Sequence, residues 1–323
     1  MKRRKRAAAL SAVLLAALFF FGGLGLRWYN HEEAAMRKES GRKFGATYMT
    51  MNNPFYEIMD DEIRNILESK GDILITRDPA LNVDKQTEQV QEMIDCRMDG
   101  IFINPVDWKA IGPALARAAE AGIPVIVVDS DVYDSRYAAC TVVSDNYQAG
   151  ELCARHLLEN RESGNIILLT HAAAKSGLDR IQGFRDTLEG HEEYRILAEG
   201  ECQGQLELAM PVTEHLLKAY PEADVIMCLN DLAAMGAMAA LEDIGKAGEV
   251  SVYGVDGSPD AKSMIAEHFM TATAAQFPRK LGQKAARMAY RILEGEEVEP
   301  KVKVDTELIT ADNLDRYNLD GWQ

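Results

Sequence analysis

Five polar residues follow apolar runs directly, and their side chains could build a binding site for a hydroxylated ligand. Carboxylates accept hydrogen bonds, and carboxamides both donate and accept them, so together they can bind neighbouring hydroxyl groups in pairs. A single Asp or Asn in such a place commonly caps the following helix. Five of them predict a ring of donors and acceptors around one crevice. The five are Asn104, Asp129, Asn230, Asp256 and Gln276.

The segment NNPFY at 52–56 adds aromatic surface to this polar set. Asn53 is a strong N-cap, and the proline after it suits the first position of a helix. Apolar residues then recur at helical spacing until Gly71. The first turn is predicted at the carboxyl edge of a sheet, where open α/β folds bind small ligands, and Phe55 and Tyr56 offer flat faces there. The alternative is an ordinary helix start with a buried phenylalanine.

The elements that must position these residues alternate between apolar runs and helical patterns. Such alternation predicts parallel sheets covered by helices on both faces. It occurs twice, over 43–144 and 145–276, so the predicted fold class is α/β with two doubly wound parallel-sheet lobes. The predicted strands are 44–51, 72–76, 100–104, 124–129, 141–144, 165–170, 196–199, 224–229, 250–255 and 270–275.

The N-terminus predicts a membrane segment. Residues 2–6 are all basic and residues 7–26 carry no charge, a run long enough to span a bilayer with its basic flank in the cytoplasm. We therefore expect a cytoplasmic segment over 1–6, a transmembrane anchor or signal peptide over 7–27, and a juxtamembrane tether over 28–42. The retained anchor is favoured because no A-x-A cleavage site ends the run. The remainder would be extracytoplasmic.

Charge and motifs exclude several functions. The chain has a net charge of −16, and beyond residue 27 it has 29 basic against 51 acidic residues, so this part repels nucleic acid. It contains no G-x-S-x-G, Walker or H-E-x-x-H motif. No catalytic residue, metal or cofactor is predicted, and an enzyme on this fold is the weaker alternative.

From residue 43 onward the chain resembles the periplasmic sugar-binding proteins of the ribose-binding type, relatives of the ligand domains of lactose-repressor-like regulators. The matching motifs recur in family order over most of the chain. They are NNPFY (52–56), IFINPVD (101–107), AGIPVIVVDSD (121–131), SDNYQAG (144–150), DRIQGF (179–184), CLNDLAAMGAMAAL (228–241), VYGVDGSPDA (252–261) and TAAQFPRKLG (273–282).

This resemblance implies two lobes that close over a monosaccharide, joined by a hinge that the chain crosses three times. Lobe one would be 43–144 with 277–304, and lobe two 145–276 with 305–323. The lobe-one wall would hold Asn53, Phe55, Tyr56, Asn104 and Asp129. Facing them from lobe two and the hinge would be Arg180, Asn230, Asp256 and Gln276. The alternative for Arg180 is a surface ion pair with Asp179 or Asp186.

Two departures from the family pattern argue against ribose itself. Ser130 stands where ribose binders have an arginine after the strand-end aspartate, and Gly204 stands where they have a stacking phenylalanine. Gln203 or Gln205 could replace the lost contacts. Another pentose, a hexose, a polyol or a furanosyl signalling molecule remains open as the ligand.

The resemblance implies a sugar-binding component that serves an ABC permease. The alternative is a membrane-anchored sensor that reports sugar to a histidine kinase, which the predicted anchor favours. A transcriptional repressor is rejected, because the apolar run stands where its DNA-binding head would be.

Overall fold

The computed structural model describes residues 41–323, whose twelve strands form two six-stranded sheets. The predictions for 1–6, for 7–27 and for all but the last two residues of the tether lie outside these residues. Within 41–323, no helix combines the length and the apolar character needed to cross a membrane.

The helices and strands of the described chain alternate as predicted up to residue 293. In chain order they are β1 (Lys43–Thr47), α1 (Pro54–Glu68), β2 (Ile73–Arg77), α2 (Val83–Asp95), β3 (Gly100–Ile103), α3 (Gly112–Glu120), β4 (Val125–Asp129), β5 (Cys140–Ser144), α4 (Asn146–Asn160), β6 (Gly164–Thr170), α5 (Lys175–Thr187), β7 (Tyr194–Glu201), α6 (Leu206–Ala219), β8 (Val225–Cys228), α7 (Asp231–Asp243), β9 (Ser251–Asp256), α8 (Pro259–Ala266), β10 (Ala272–Ala275), α9 (Pro278–Leu293), β11 (Lys301–Val304) and β12 (Glu307–Thr310).

The first sheet has the strand order β11-β5-β4-β3-β1-β2 and is parallel throughout. Successive side chains on its strands enter opposite cores, as the twofold period of a strand requires. Phe102 packs with α1 and α9, whereas Ile101 and Ile103 pack with α2 and α3. Burial on both faces explains why strands such as β4 are apolar without interruption.

The second sheet has the order β12-β10-β9-β8-β6-β7 and is parallel except at its edge, where β12 is antiparallel to β10. Ile167 and Leu169 pack with α6, α7 and α8, while Ile166 and Leu168 pack with α4 and α5. The prediction of two α/β lobes is therefore confirmed, and the prediction of purely parallel sheets is wrong at β12.

The chain passes between the sheets three times. It leaves the first sheet after β5, returns to that lobe after β10, and crosses again between β11 and β12. Neither sheet is therefore built from one continuous stretch of chain. The second crossing contains Gln276, one of the predicted site residues.

Helices α4 and α5 pack unusually close together through two glycines. A Cβ at Gly150 would lie 1.8 Å from the Arg180 carbonyl oxygen, and a Cβ at Gly183 would lie 2.1 Å from the Tyr147 carbonyl oxygen. Because only glycine permits these approaches, they fix the position of α5 and of the Arg180 side chain that it carries.

Candidate functional site

A cavity lies between the lobes, at the carboxyl ends of both sheets. Its volume of about 30 Å³ leaves room for only a few water-sized groups, so a larger ligand requires the lobes to part. Of the eleven predicted site residues, nine line it and Asn104 and Ser130 do not. The nine are Asn53, Phe55, Tyr56, Asp129, Arg180, Gly204, Asn230, Asp256 and Gln276.

Asp129 is the central acceptor of the lobe-one wall. Its Oδ2 accepts hydrogen bonds from Asn104 Nδ2 at 3.0 Å and from the Tyr56 hydroxyl at 3.3 Å. Its Oδ1 is buried without a partner in the described chain. Asn104 lies behind the wall, where its Oδ1 accepts from the Met49 N–H at 3.1 Å. Asn104 therefore orients Asp129 rather than facing the cavity.

The start of α1 supplies the aromatic part of this wall. Asn53 caps the helix by accepting from the Phe55 N–H at 3.0 Å. The Phe55 ring meets Tyr56 and Trp322 edge to face, with centroids 5.6 Å and 5.8 Å away. Trp322, in the C-terminal tail, was not predicted to contribute.

Arg180 is the cation of the opposite wall and is 4% exposed. Its Nε donates to Asn146 Oδ1 at 2.8 Å and its Nη1 donates to the Leu229 carbonyl at 2.9 Å. Nη1 also lies 3.7 Å from Asp256 Oδ1. The guanidinium is thus held in the cavity wall by three groups.

The surface ion-pair alternative for Arg180 is wrong. Asp179 pairs instead with Lys175, and Asp186 accepts from the Tyr147 hydroxyl at 2.9 Å. The helical period separates these neighbours from Arg180, because they point from α5 toward solvent while Arg180 points inward.

Asp256 and Gln276 form a second polar pair. Gln276 Nε2 donates to Asp256 Oδ1 at 2.6 Å, which leaves the buried Gln276 Oε1 without a partner in the described chain. Burial raises the pKa of Asp256 well above its ordinary value, although Arg180 opposes this rise. Burial also raises the pKa of Asp129, again against Arg180.

Both strand-end aspartates have unusual backbone conformations. Asp129 has φ +64° and Asp256 has φ +138°, a region that non-glycine residues seldom adopt. Such strain costs on the order of 1 kcal/mol or more per residue and is concentrated at functional sites. It turns each carboxylate away from its strand and into the cleft.

Asn230, Gly204 and Ser130 serve mainly to shape and join the walls. Asn230 Oδ1 caps α7 by accepting from the Ala233 N–H at 2.9 Å, and its Nδ2 donates to the Gly204 carbonyl at 3.0 Å. Gly204 has φ +65°, and a Cβ there would lie 3.0 Å from Asn230 Nδ2. Ser130 Oγ accepts from the Ser176 N–H at 3.1 Å and so links the two lobes.

Several cavity residues were missed or only partly foreseen. Gln203 and Gln205 do line the cavity, as replacements for the lost contacts would have to. His171 was missed, although it follows β6 just as Asn104 follows β3. Its Nδ1 lies 3.0 Å from Glu201 Oε1, and its buried Nε2 has no partner in the described chain. The other cavity residues are Met49, Thr50, Ala174, Ser176 and Leu229.

The arrangement suits binding of a neutral polar molecule. Across residues 41–323, no three His, Cys, Asp or Glu side chains are grouped so that they could hold a metal ion. The cavity combines one cation, two carboxylates and aromatic rings, with acceptor atoms left open.

The profile described as periplasmic binding protein domain matches residues 44–297. The chain belongs to the periplasmic binding protein family. The ribose import binding protein of Salmonella typhimurium is 30% identical over 80% of this chain and 88% of its own length. These relatives are binding proteins rather than enzymes, in agreement with the prediction of a non-catalytic chain, and the family is periplasmic or otherwise extracytoplasmic.

Solved periplasmic binding proteins have the same fold. A solute binding protein of an ABC transporter from Mycobacterium smegmatis, with bound glycerol, is 31% identical with a TM-score of 0.81, covering 85% of this chain and 96% of that one. Another from Bacillus halodurans, with bound myo-inositol, is 26% identical with a TM-score of 0.79, covering 86% and 98%.

Proposed function

We propose that this chain binds a monosaccharide or a cyclic polyol between its lobes and closes over it outside the cytoplasm. The observation that carries the proposal is the pair of open acceptors, Asp129 Oδ1 and Gln276 Oε1, buried in one cavity. A buried polar atom without a partner costs about 1–3 kcal/mol. Ligand hydroxyl groups that donate to both atoms would remove this cost.

The remaining groups support the same ligand class. Arg180 offers guanidinium N–H groups to ligand oxygens. Phe55 and Tyr56 offer ring faces and edges to the C–H groups of a sugar or cyclitol. The relatives' ligands, as their names state them, are ribose, glycerol and myo-inositol, which are all neutral and polyhydroxylated.

The lobe limits given above belong to this proposal. Residues 43–144 with 277–304 contain every strand of the first sheet, and 145–276 with 305–323 contain every strand of the second. The three crossings between them would form the hinge, as they are the covalent connections between the lobes.

A panel of D-ribose, D-allose, D-galactose, myo-inositol and glycerol tests the ligand class by thermal unfolding and calorimetry. A ligand at a hundred times its dissociation constant should stabilise the folded chain by about 2.7 kcal/mol. Arg180→Ala should abolish or weaken the response, whereas Arg155→Ala, which removes an exposed pair with Glu151, should leave it unchanged. If no neutral sugar or polyol raises the melting temperature of the wild type, the proposed ligand class is wrong.

We propose the binding component of a sugar ABC importer as the cellular role. A membrane-anchored sensor that partners a histidine kinase is the second candidate, favoured by the basic residues 2–6 followed by the uncharged run 7–26. N-terminal sequencing of protein from the native host tests the anchor, and cross-linking in native membranes identifies the partner. A mature N-terminus beyond residue 22 on secreted protein would remove the support for the sensor.

A further inference from the structure

His171 is a cavity residue that is held at one ring nitrogen and left open at the other. It is 7% exposed and directly follows β6. Its Nδ1 lies 3.0 Å from Glu201 Oε1, while its buried Nε2 has no hydrogen-bond partner in residues 41–323. A buried polar atom without a partner is uncommon in a folded protein and calls for an explanation.

The partners of Glu201 decide which nitrogen carries the proton. Its carboxylate accepts from the Ala172 N–H at 2.9 Å and from the Gln203 N–H at 3.1 Å. Because an ionised carboxylate can only accept, the hydrogen on the neutral His171 ring must be on Nδ1. Nε2 then presents a lone pair, so His171 is an acceptor in the cavity wall.

We infer that His171 is a specificity-determining residue whose Nε2 accepts a hydrogen bond from one ligand hydroxyl, with Glu201 as its positioning residue. This inference rests on the proposed function. With Asp129 Oδ1 and Gln276 Oε1, it makes three open acceptors, one each from lobe one, the second crossing and lobe two. The site then selects a ligand with a free hydroxyl toward each of them.

The same arrangement disfavours acidic sugars. The charged groups around the cavity are Asp129, Asp256 and Arg180, with Glu201 behind the imidazole. A ligand carboxylate or phosphate could donate to none of the three acceptors and would meet two carboxylates with one guanidinium. Neutral polyols are the class that satisfies all of them.

Two substitutions of His171 separate the roles of its nitrogens. The amide of glutamine reaches about as far as Nε2, whereas that of asparagine reaches about as far as Nδ1. With the full-length chain and the sugar of the panel that binds, His171→Asn should weaken binding on the order of tenfold, and His171→Gln should weaken it less. His191→Asn is the matched control, because His191 faces Glu193 at 3.3 Å on the surface with its side chain 44% exposed.

Singly deoxygenated analogues of that sugar provide the readout that a structural role would not move. One analogue should bind the wild type on the order of tenfold more weakly than the parent, yet bind His171→Asn as well as the parent does. Glu201→Gln should reduce the same discrimination without lowering the melting temperature of the ligand-free chain, because the Glu201 side chain is 45% exposed.

Three results would overturn the inference. His171→Asn could bind as tightly as the wild type, or it could lose affinity equally for the parent and for every analogue, which would indicate a packing role. Either result leaves the proposed function intact. If the wild type binds no member of the panel, the proposed function fails and this inference fails with it.

Discussion

At the scale of single residues, Asp256 shows the cost of a polar site in a closed cleft. Burial holds its pKa above the value of about 4 expected for the unfolded chain. The folded protein therefore binds more protons than the unfolded one between these two pKa values. The contribution of Asp256 to stability is greatest below about pH 4 and is lost as the pH rises through the folded pKa.

Asp256→Asn should remove this pH-dependent cost. The melting temperature of the ligand-free variant, minus that of the wild type, should increase between pH 4 and pH 7. Each kcal/mol corresponds to about 2–4 °C in a domain of 150–250 residues. Thermal unfolding across this range checks the trend, and a difference that falls with pH would contradict it. The variant should also lose ligand affinity, because an acceptor is replaced by an amide.

Arg180→Ala should have two effects that share one cause. It leaves the buried Asp129 and Asp256 without their cation, so the ligand-free protein should unfold at a lower temperature. Ligand affinity should fall at least tenfold, since hydrogen bonds to charged groups contribute roughly 1.5–3 kcal/mol. Calorimetry measures the affinity, and an unchanged dissociation constant would place Arg180 outside the ligand contacts.

At the scale of elements, the contact between α4 and α5 positions Arg180. Gly150→Ala would insert a methyl group 1.8 Å from the Arg180 carbonyl oxygen, so α5 must shift. We expect a loss of about 1–3 kcal/mol in stability together with weaker ligand binding. Gly112→Ala is the control, because a Cβ at this first residue of α3 meets no atom within 4 Å. Equal effects of the two substitutions would contradict this role of the contact.

The C-terminal tail supports the aromatic wall from the other lobe. Lys262 Nζ donates to the carbonyl oxygens of Asn318 and Gly321, and the tail then places Trp322 against Phe55. Trp322→Ala should weaken ligand binding roughly two- to tenfold, since an aromatic pair contributes about 0.5–1.5 kcal/mol. Leu319→Ala, at a tail residue that is 39% exposed, should have little effect in the same titration.

The sequence predicted the ten strands that are long or buried, and it missed β11 and β12. These two have four residues each and include exposed side chains, so their apolar pattern is too short to recognise. The strand-end rule correctly led to Asp129 and Asp256. It missed His171 because only amides and carboxylates were considered. The inward turn of Asn104 and the role of Trp322 depend on packing between segments far apart in the chain, which no local pattern records.

At the scale of the whole molecule, the lobes meet across the cleft. The Trp108 N–H of one lobe donates to the Ala173 carbonyl of the other at 3.0 Å, in addition to the contact between Ser130 and Ser176. Few such bonds oppose the cost of the open acceptors in the cavity. We therefore expect ligand-free molecules to populate an open form, and ligand to shift the population toward closure.

Small-angle X-ray scattering measures this shift. The radius of gyration of the ligand-free chain should exceed the value calculated for the closed arrangement and should decrease when ligand saturates the site. Arg180→Ala at the same ligand concentration should show no decrease. Identical scattering curves with and without ligand would indicate a site that does not require closure.

The three crossings also determine when the chain can fold. Strand β5 pairs with β11 in the register of Thr141 with Lys301, so the first sheet stays incomplete until almost all of the polypeptide has been synthesised. Pairing between strands so distant in sequence is intrinsically slow. A nascent chain that cannot finish either lobe early remains extended for longer, and this delay favours its passage across a membrane before folding.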